Sequence, residues 1–352
     1  MLAYCEACGK VRAASEAEPD EVQVLEEEIV VLSGGAAGGA GGAAGGGGPA
    51  SATLPCPFCG RVFSLLALPA HSPQCPQLPA RFAGASAPLH VLFGGQAEGE
   101  GLLTPRQRAA LDFVNKQCRA FSAAAMEGLR ARLSALPEMR GHSLERVLGY
   151  VRDTAPIIIH VSPEVLALLA RDTLYRNQFE TGTSKGTLSR ATREQWEKGL
   201  FNSAYDSAAD TERVKYGCMN ISGDVRGVLS AHGYGVCYLI LKDSCRSRCT
   251  FTSTDSSKSS QNGGRDLSTC ESYAHILMSY TEEELRRLVA VALGGRGTMG
   301  AGGSMYKECQ VHGPVRLGED LSAVVVPEAL RAQCQATAEA FTRKHGVSVL
   351  FV

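Results

Sequence analysis

Residues 34–49 read GGAAGGAGGAAGGGGP, where no side chain before the closing proline is larger than a methyl group. Such a run has nothing to bury and behaves as a flexible tether reaching about 20 Å. It divides what the chain can fold into. Ahead of it lies a short acidic segment, so residues 1–53 are expected to be flexible. Behind it comes a compact Cys/His cluster over 54–78 and a second loose stretch over 79–102. A main body follows over 103–352. With 44% hydrophobic residues in a chain of 352, only this last part is long enough for a sizeable core.

Charge and cysteine usage narrow the class. The formal net charge is -1, which gives no electrostatic case for nucleic acid or an anionic membrane. No apolar run approaches the roughly 20 residues that span a bilayer. The opening MLAYCEACGK lacks the apolar centre of a signal peptide. Thirteen cysteines is an odd number, and several sit in apolar surroundings. Together these features imply an intracellular, reduced protein of the cytoplasm or nucleus, whose clustered cysteines bind metal rather than form bridges.

The cluster CPFCGRVFSLLALPAHSPQC spaces Cys56, Cys59, His71 and Cys75 as a CxxC knuckle followed by HxxxC. Four such ligands suit tetrahedral zinc, and Phe63, Leu66 and Leu68 supply the small core that metal would lock. Pro69 and Pro73 bracket His71 and shorten the expected ligand helix. An alternative set joins Cys5 and Cys8 to Cys56 and Cys59 in a four-cysteine ribbon. The CxxC…HxxxC pattern resembles the C2HC zinc-finger class, a spacing shared by ubiquitin-binding fingers, which implies a protein partner such as ubiquitin.

The main body opens with LTPRQRAAL, where Thr104, Pro105 and Gln107 form a capping box and a helix start. Ala110, Leu111, Val114, Cys118 and Phe121 then recur at helical spacing. Leu144, Val147, Leu148 and Val151 repeat the pattern, and Thr281 with Glu284 caps a further amphipathic helix. APIIIHV, YGVCYLILKD and the terminal GVSVLFV read as buried strands. TSTDSSKSSQNGG reads as a flexible loop. Short strands spread among helices without a regular βαβ repeat predict an α+β fold.

In MYKECQVHGPVRL, alternation along a strand would put Tyr306, Glu308, Gln310 and His312 on one face and Cys309 and Val311 on the other. The phrases LTPRQRAAL, IIIHVSPE, YRNQFETGTSKG, REQWEKGLFNSAYD, RVKYGCMNI, GYGVCYLILK, CTFTSTDSS and YKECQVHGPVRL together resemble domain-of-unknown-function family 3626, over about residues 103–330. His160 at a strand end, Tyr216 before a glycine, and Glu308 follow the order of the His–Tyr–Glu signature of ADP-ribosyltransferases. That resemblance implies an ADP-ribosyltransferase-like mixed sheet and NAD as co-substrate. It makes Glu308 the catalytic carboxylate, Tyr216 the ring that stacks on nicotinamide and His160 the residue that positions the ribose or amide. Arg176, Gly182, Thr183 and Ser184 would contact the pyrophosphate, and Gln310 and His312 would extend the pocket wall. The sequence departs from the clade in one place, with Val161 where a glycine normally follows the histidine. Arg176 and the TGTS after it also resemble the Arg–Ser–Glu arrangement of the toxin clade. The expected activity is NAD-dependent transfer or glycohydrolysis. Two contrasting expectations are a non-catalytic zinc-finger adaptor, and a hydrolase using His160 and Glu308 as an acid–base pair.

Overall fold

The computed structural model describes residues 102–184, 189–262, 265–295 and 306–352, with four short strands nearer the N-terminus. The chain divides into Met1–Ala50 and Ser51–Val352, so the break falls at the end of the glycine-rich run. In the first unit, β1 (Leu2–Cys5) pairs antiparallel with β2 (Lys10–Ala13). In the second, β3 (Thr53–Pro55) pairs antiparallel with β4 (Val62–Ser64). The expected zinc ligands Cys56, Cys59, His71 and Cys75, and also Cys8, lie outside the described residues.

The main body begins with a long helix, α1 (Pro105–Ser134). Its capping box is formed as expected, since the Thr104 side chain accepts from the Gln107 N–H and the Gln107 side chain accepts from the Thr104 N–H. Ala110, Leu111, Val114 and Cys118 are buried along one stripe, and Leu129 and Leu133 continue it. Gln107 is itself buried and donates to the Glu212 carbonyl at 2.7 Å, tying the helix start to the chain entering a central strand. Next come α2 (Leu144–Asp153), the strand β5 (Ile157–Val161), and α3 (Pro163–Leu169) capped by Ser162.

A short strand β6 (Leu174–Tyr175), a single helical turn α4 (Gln178–Thr181) and the helix α5 (Arg190–Phe201) lead to β7 (Lys215–Met219). Then come β8 (Cys237–Leu241), β9 (Cys249–Thr252), the turn α6 (Ser256–Ser259), β10 (Leu267–Ser268) and α7 (Ala274–Leu277). After α8 (Glu282–Ala292) the chain returns as β11 (Glu308–Val311), β12 (Val315–Arg316) and β13 (Leu321–Val326). It ends with α9 (Arg331–His345) and β14 (Ser348–Phe351).

Eight strands form one mixed sheet in the order β10-β9-β11-β7-β5-β8-β13-β14, in which only β13 and β14 run parallel. The fold is therefore α+β, as the pattern of short strands predicts. One face of the sheet carries Ile157, Ile159, Leu239, Phe251, Cys309 and Val311 into the main core. There they meet Leu129 and Leu133 of α1, Val147 and Val151 of α2, and Leu285, Leu288 and Val289 of α8. Lys307, just before β11, also points to this side. It is fully buried, 3.5 Å from the Glu284 carboxylate, with its ammonium 4.2 Å above the Tyr280 ring. Among the described residues, no helix is long and apolar enough to cross a membrane.

Replacing Gln107 with alanine removes the acceptor of the Thr104 N–H and leaves the Glu212 carbonyl without its donor. Urea unfolding of Gln107→Ala is expected to show a loss of about 2 kcal/mol, the reciprocal half of the capping box plus one buried hydrogen bond. A loss no larger than that of an exposed helical substitution would show that this tie does not hold α1 to the sheet.

Candidate functional site

Register brings the polar residues of three neighbouring strands to one face. Cys218 of β7 stands opposite Ile158 of β5 and opposite Glu308 of β11, while Tyr216 stands opposite Gln310. Directly opposed residues of an antiparallel pair share a face, as do residues two apart on one strand. His160, Tyr216, Glu308 and Gln310 therefore rise from the same side, away from the main core.

That side is covered unevenly. Phe201 at the end of α5 and Tyr205 after it pack against His312, so Gln310 and His312 are fully buried. Beside this covered part a cleft of about 730 Å3 opens, lined by His160, Tyr216, Cys218 and Glu308 together with residues of α3, the β6–α4 segment and α5. Its size is that of a small-molecule site, roughly 300–1,000 Å3. Of the side chains expected on one strand face, Glu308 and Tyr306 reach the cleft. Gln310 and His312, expected in its wall, lie beneath it because the α5 region closes over them first.

Glu308 is 4% exposed, and its Oε1 accepts from the Ser256 hydroxyl and, at 2.9 Å, from Gln310 Nε2. Burial pushes its carboxyl up to about 7; the nearby Asp255 charge adds to this, while the donors Ser256 and Gln310 work against it. A carboxyl with its midpoint near neutrality, at the wall of a cleft, is equipped for proton transfer or for facing a developing cation.

His160 lines the cleft but has both ring nitrogens engaged. The Val228 N–H donates to Nε2 at 3.0 Å, so Nδ1 carries the proton and donates to the Gly235 carbonyl at 2.8 Å. Burial pulls its pKa down to about 4, so the ring is neutral. Gly235 has φ +147, and a Cβ there would meet the Val161 carbonyl carbon at 2.0 Å, so the segment lies flat against β5. The histidine thus pins the 228–235 segment to the strand.

Tyr216 is half-buried, and its hydroxyl donates to Glu197 Oε1 at 3.4 Å. Glu197 is fully buried in α5 and takes a second donor from Arg213 at 2.6 Å. Arg213 also lies 4.4 Å from the centre of the Phe179 ring. This knot holds the tyrosine in the cleft wall from behind.

Arg176, Thr183 and Ser184 line the cleft. Arg176 is bound to Asp172 at 2.8 Å and flanked by Glu180 at 3.7 Å, so an anion would share it with two carboxylates. Ser184 accepts from Arg193 at 2.8 Å. Gly182 stands outside the lining, ending α4 with φ 65, and Glu180 belongs to the capping box of that turn. Sequence reasoning missed Ser256, Arg193 and Trp196, and read Asp255 only as a weak candidate for an ion; all four line the cleft. TSTDSSKSSQNGG was expected to be a loop, yet part of it folds as α6, capped by Asp255, whose side chain accepts from the Ser257 N–H at 2.8 Å. An acidic residue directly before a run of serines was the available signal for that turn. Among the described residues, no cluster of His, Cys, Asp or Glu is arranged to hold a metal ion.

The family described as Protein of unknown function (DUF3626) matches residues 159–301. The match is narrower than the 103–330 expected from phrases; it contains His160 and Tyr216 and ends before Glu308. No curated protein matches the chain.

The raised carboxyl has a consequence for stability. Glu308 holds a proton in the folded chain up to about 7, against an ordinary value of 4.5, so its contribution falls as pH rises through that window. Glu308→Gln removes the buried charge while keeping an acceptor for Ser256 and Gln310. Its stability is expected to match wild type near pH 4 and to exceed it by about 3 kcal/mol at pH 8. Chemical denaturation at the two pH values checks this; a constant difference would mean that Glu308 is not titrating in the window.

Proposed function

We propose that the main body is an NAD-consuming enzyme, an ADP-ribosyltransferase or NAD glycohydrolase, with Glu308 as its catalytic carboxylate. One observation carries the reading: His160, Tyr216 and Glu308, separated along the chain, line one cleft from one face of three adjacent strands. The resemblance to the His–Tyr–Glu signature rested on their order alone, and this convergence is independent of that order.

In this reading the bond between nicotinamide and ribose breaks with its electron pair leaving on nicotinamide. Positive charge develops on the sugar, and the ionised Glu308 stabilises it across the cleft. An acceptor hydroxyl or water then forms the new bond to the sugar carbon and passes its proton to Glu308 or solvent. Tyr216, held from behind by Glu197, offers a ring for nicotinamide to stack on. His160 acts as a positioning residue through the 228–235 segment, since both its nitrogens already bind backbone. Arg176 and Arg193, with Ser184 between the cleft and α5, supply the positive side for a pyrophosphate.

Nicotinamide release by wild type and Glu308→Gln, with NAD affinity by calorimetry, tests this. The variant is expected to lose roughly 100-fold or more in rate with little change in affinity. Because the active form is the carboxylate and burial lifts its midpoint to about 7, wild-type turnover should rise as pH rises through 7. Equal turnover in both proteins removes Glu308 from the chemistry. Absence of both binding and turnover leaves the adaptor, in which the main body is a recognition module.

Zinc is the second part of the proposal. Cys56, Cys59, His71 and Cys75 carry the donor chemistry of a C2HC site, which would present a small folded finger to a protein such as ubiquitin. Native mass spectrometry with and without chelator is expected to show one zinc per chain, lost in His71→Ala. Zinc retained in that variant would favour the four-cysteine set with Cys5 and Cys8.

A further inference from the structure

Behind Glu308 four side chains stand in single file. The Tyr205 hydroxyl is 2.7 Å from His312 Nδ1, and His312 Nε2 is 3.1 Å from Thr250 Oγ1. Thr250 donates to Gln310 Oε1 at 2.9 Å, and Gln310 Nε2 donates to Glu308 Oε1 at 2.9 Å. Tyr205, His312, Thr250 and Gln310 are each no more than 2% exposed, so bulk solvent does not reach these bonds.

The protons in this file can run only one way. The Thr252 hydroxyl donates to the Thr254 carbonyl at 2.6 Å and therefore receives the other N–H of Gln310, at 3.4 Å. That fixes the amide with its nitrogen toward Glu308 and its oxygen toward Thr250. Thr250 must then donate to Gln310 and accept from His312 Nε2, which leaves Nδ1 bare to accept from Tyr205. Burial and the nearby positive charges of Arg248 and Lys215 hold His312 neutral, its pKa lowered to about 3, so the order does not reverse near neutral pH. Every link delivers a donor in the direction of the cleft carboxyl.

We propose that Gln310, Thr250 and His312 are positioning residues for Glu308, a polarised file that fixes the rotation of its carboxyl and presents it to the cleft as an acceptor. The inference deepens the NAD-cleaving reading and rests on it for the catalytic consequence, while the control of the Glu308 charge stands on the geometry alone. The other groups facing Glu308 are Asp255 and Ser256 from α6, Tyr216 and Cys218 from β7, Tyr234 from the 229–234 turn, and Tyr306 ahead of β11. Burial raises the pKa of the three tyrosines and the thiol, leaving Asp255 as the acid among them that can bring a second negative charge.

Thr250→Val cuts the file in the middle, keeps the branched shape in β9, and touches nothing in the cleft lining. The full-length protein carrying ¹³C-carboxyl glutamate would be titrated by NMR, with the Glu308 resonance assigned by its loss in Glu308→Gln. With the file cut, Gln310 is free to turn and the ionised form loses support. The Glu308 midpoint is expected to move up by about half a unit to one unit. Nicotinamide release should fall about tenfold with KM for NAD unchanged. Thr250→Ser restores a hydroxyl and should recover both.

A fall in rate with an unmoved midpoint would overturn the proposal, because that is what a merely structural threonine would give. An unmoved midpoint with unchanged rate would overturn it as well. Should wild type release no nicotinamide while the midpoint still moves in Thr250→Val, the file is supported and the NAD reading alone fails. If Thr250→Val does not fold, Gln310→Met cuts the last link and must raise the midpoint in the same direction.

Discussion

A carboxylate taken out of water has to be surrounded by donors or it takes up a proton. The neighbourhood of Glu308 is arranged around that demand. α6 brings the Ser256 hydroxyl from one side and β11 itself brings Gln310 from the other. The balance is incomplete, since burial and Asp255 still hold the midpoint near 7. A fully compensated carboxyl would be a structural ion; an uncompensated one would be a neutral acid. Between the two, the group can change charge with little cost at neutral pH, which is the property the proposed chemistry needs.

Much of the fold could be read from local chemistry. The capping boxes at Thr104 and Thr281, the buried stripe of α1 and the apolar strands all follow rules that act within a few residues. Glu308 also stood out, because period-two alternation separates its side of β11 from that of Cys309 and Val311. The error over Gln310 and His312 came from treating a strand face as uniform. Alternation says which side a residue faces, but only tertiary packing decides how far along the strand that side is covered. Here the cover comes from Phe201 and Tyr205, more than a hundred residues earlier in the chain. Ser256 was missed for a related reason: its role depends on a contact with a strand that has not yet appeared when the serine run is read.

His160 shows how one residue can belong to a cleft without offering it a hydrogen bond. At the end of an apolar strand an imidazole is conspicuous in sequence, and ligand contact is the natural expectation. In the folded chain the same two nitrogens meet the Val228 N–H and the Gly235 carbonyl. The segment so anchored supplies Ala231 and Tyr234 to the cleft wall. Tyr234 lies with its ring centre 6.2 Å from that of Tyr306, which directly precedes the buried pair at the start of β11. Thus the histidine shapes the site through what it holds.

Lys307 and Glu308 are adjacent, buried, oppositely charged and on opposite sides of the sheet. Sliding β11 by one residue against β7 would exchange their surroundings. The ammonium would then lie against the Ser256 hydroxyl, a donor like itself, and the carboxylate would meet Glu284 and the face of Tyr280. Both ions would be stranded by the same error. Most sheets enforce alignment by keeping apolar side chains out of water; this strand adds an electrostatic key with a different tooth on each side. Misaligned intermediates are penalised from both faces at once, so β11 resists settling in a neighbouring register between β9 and β7.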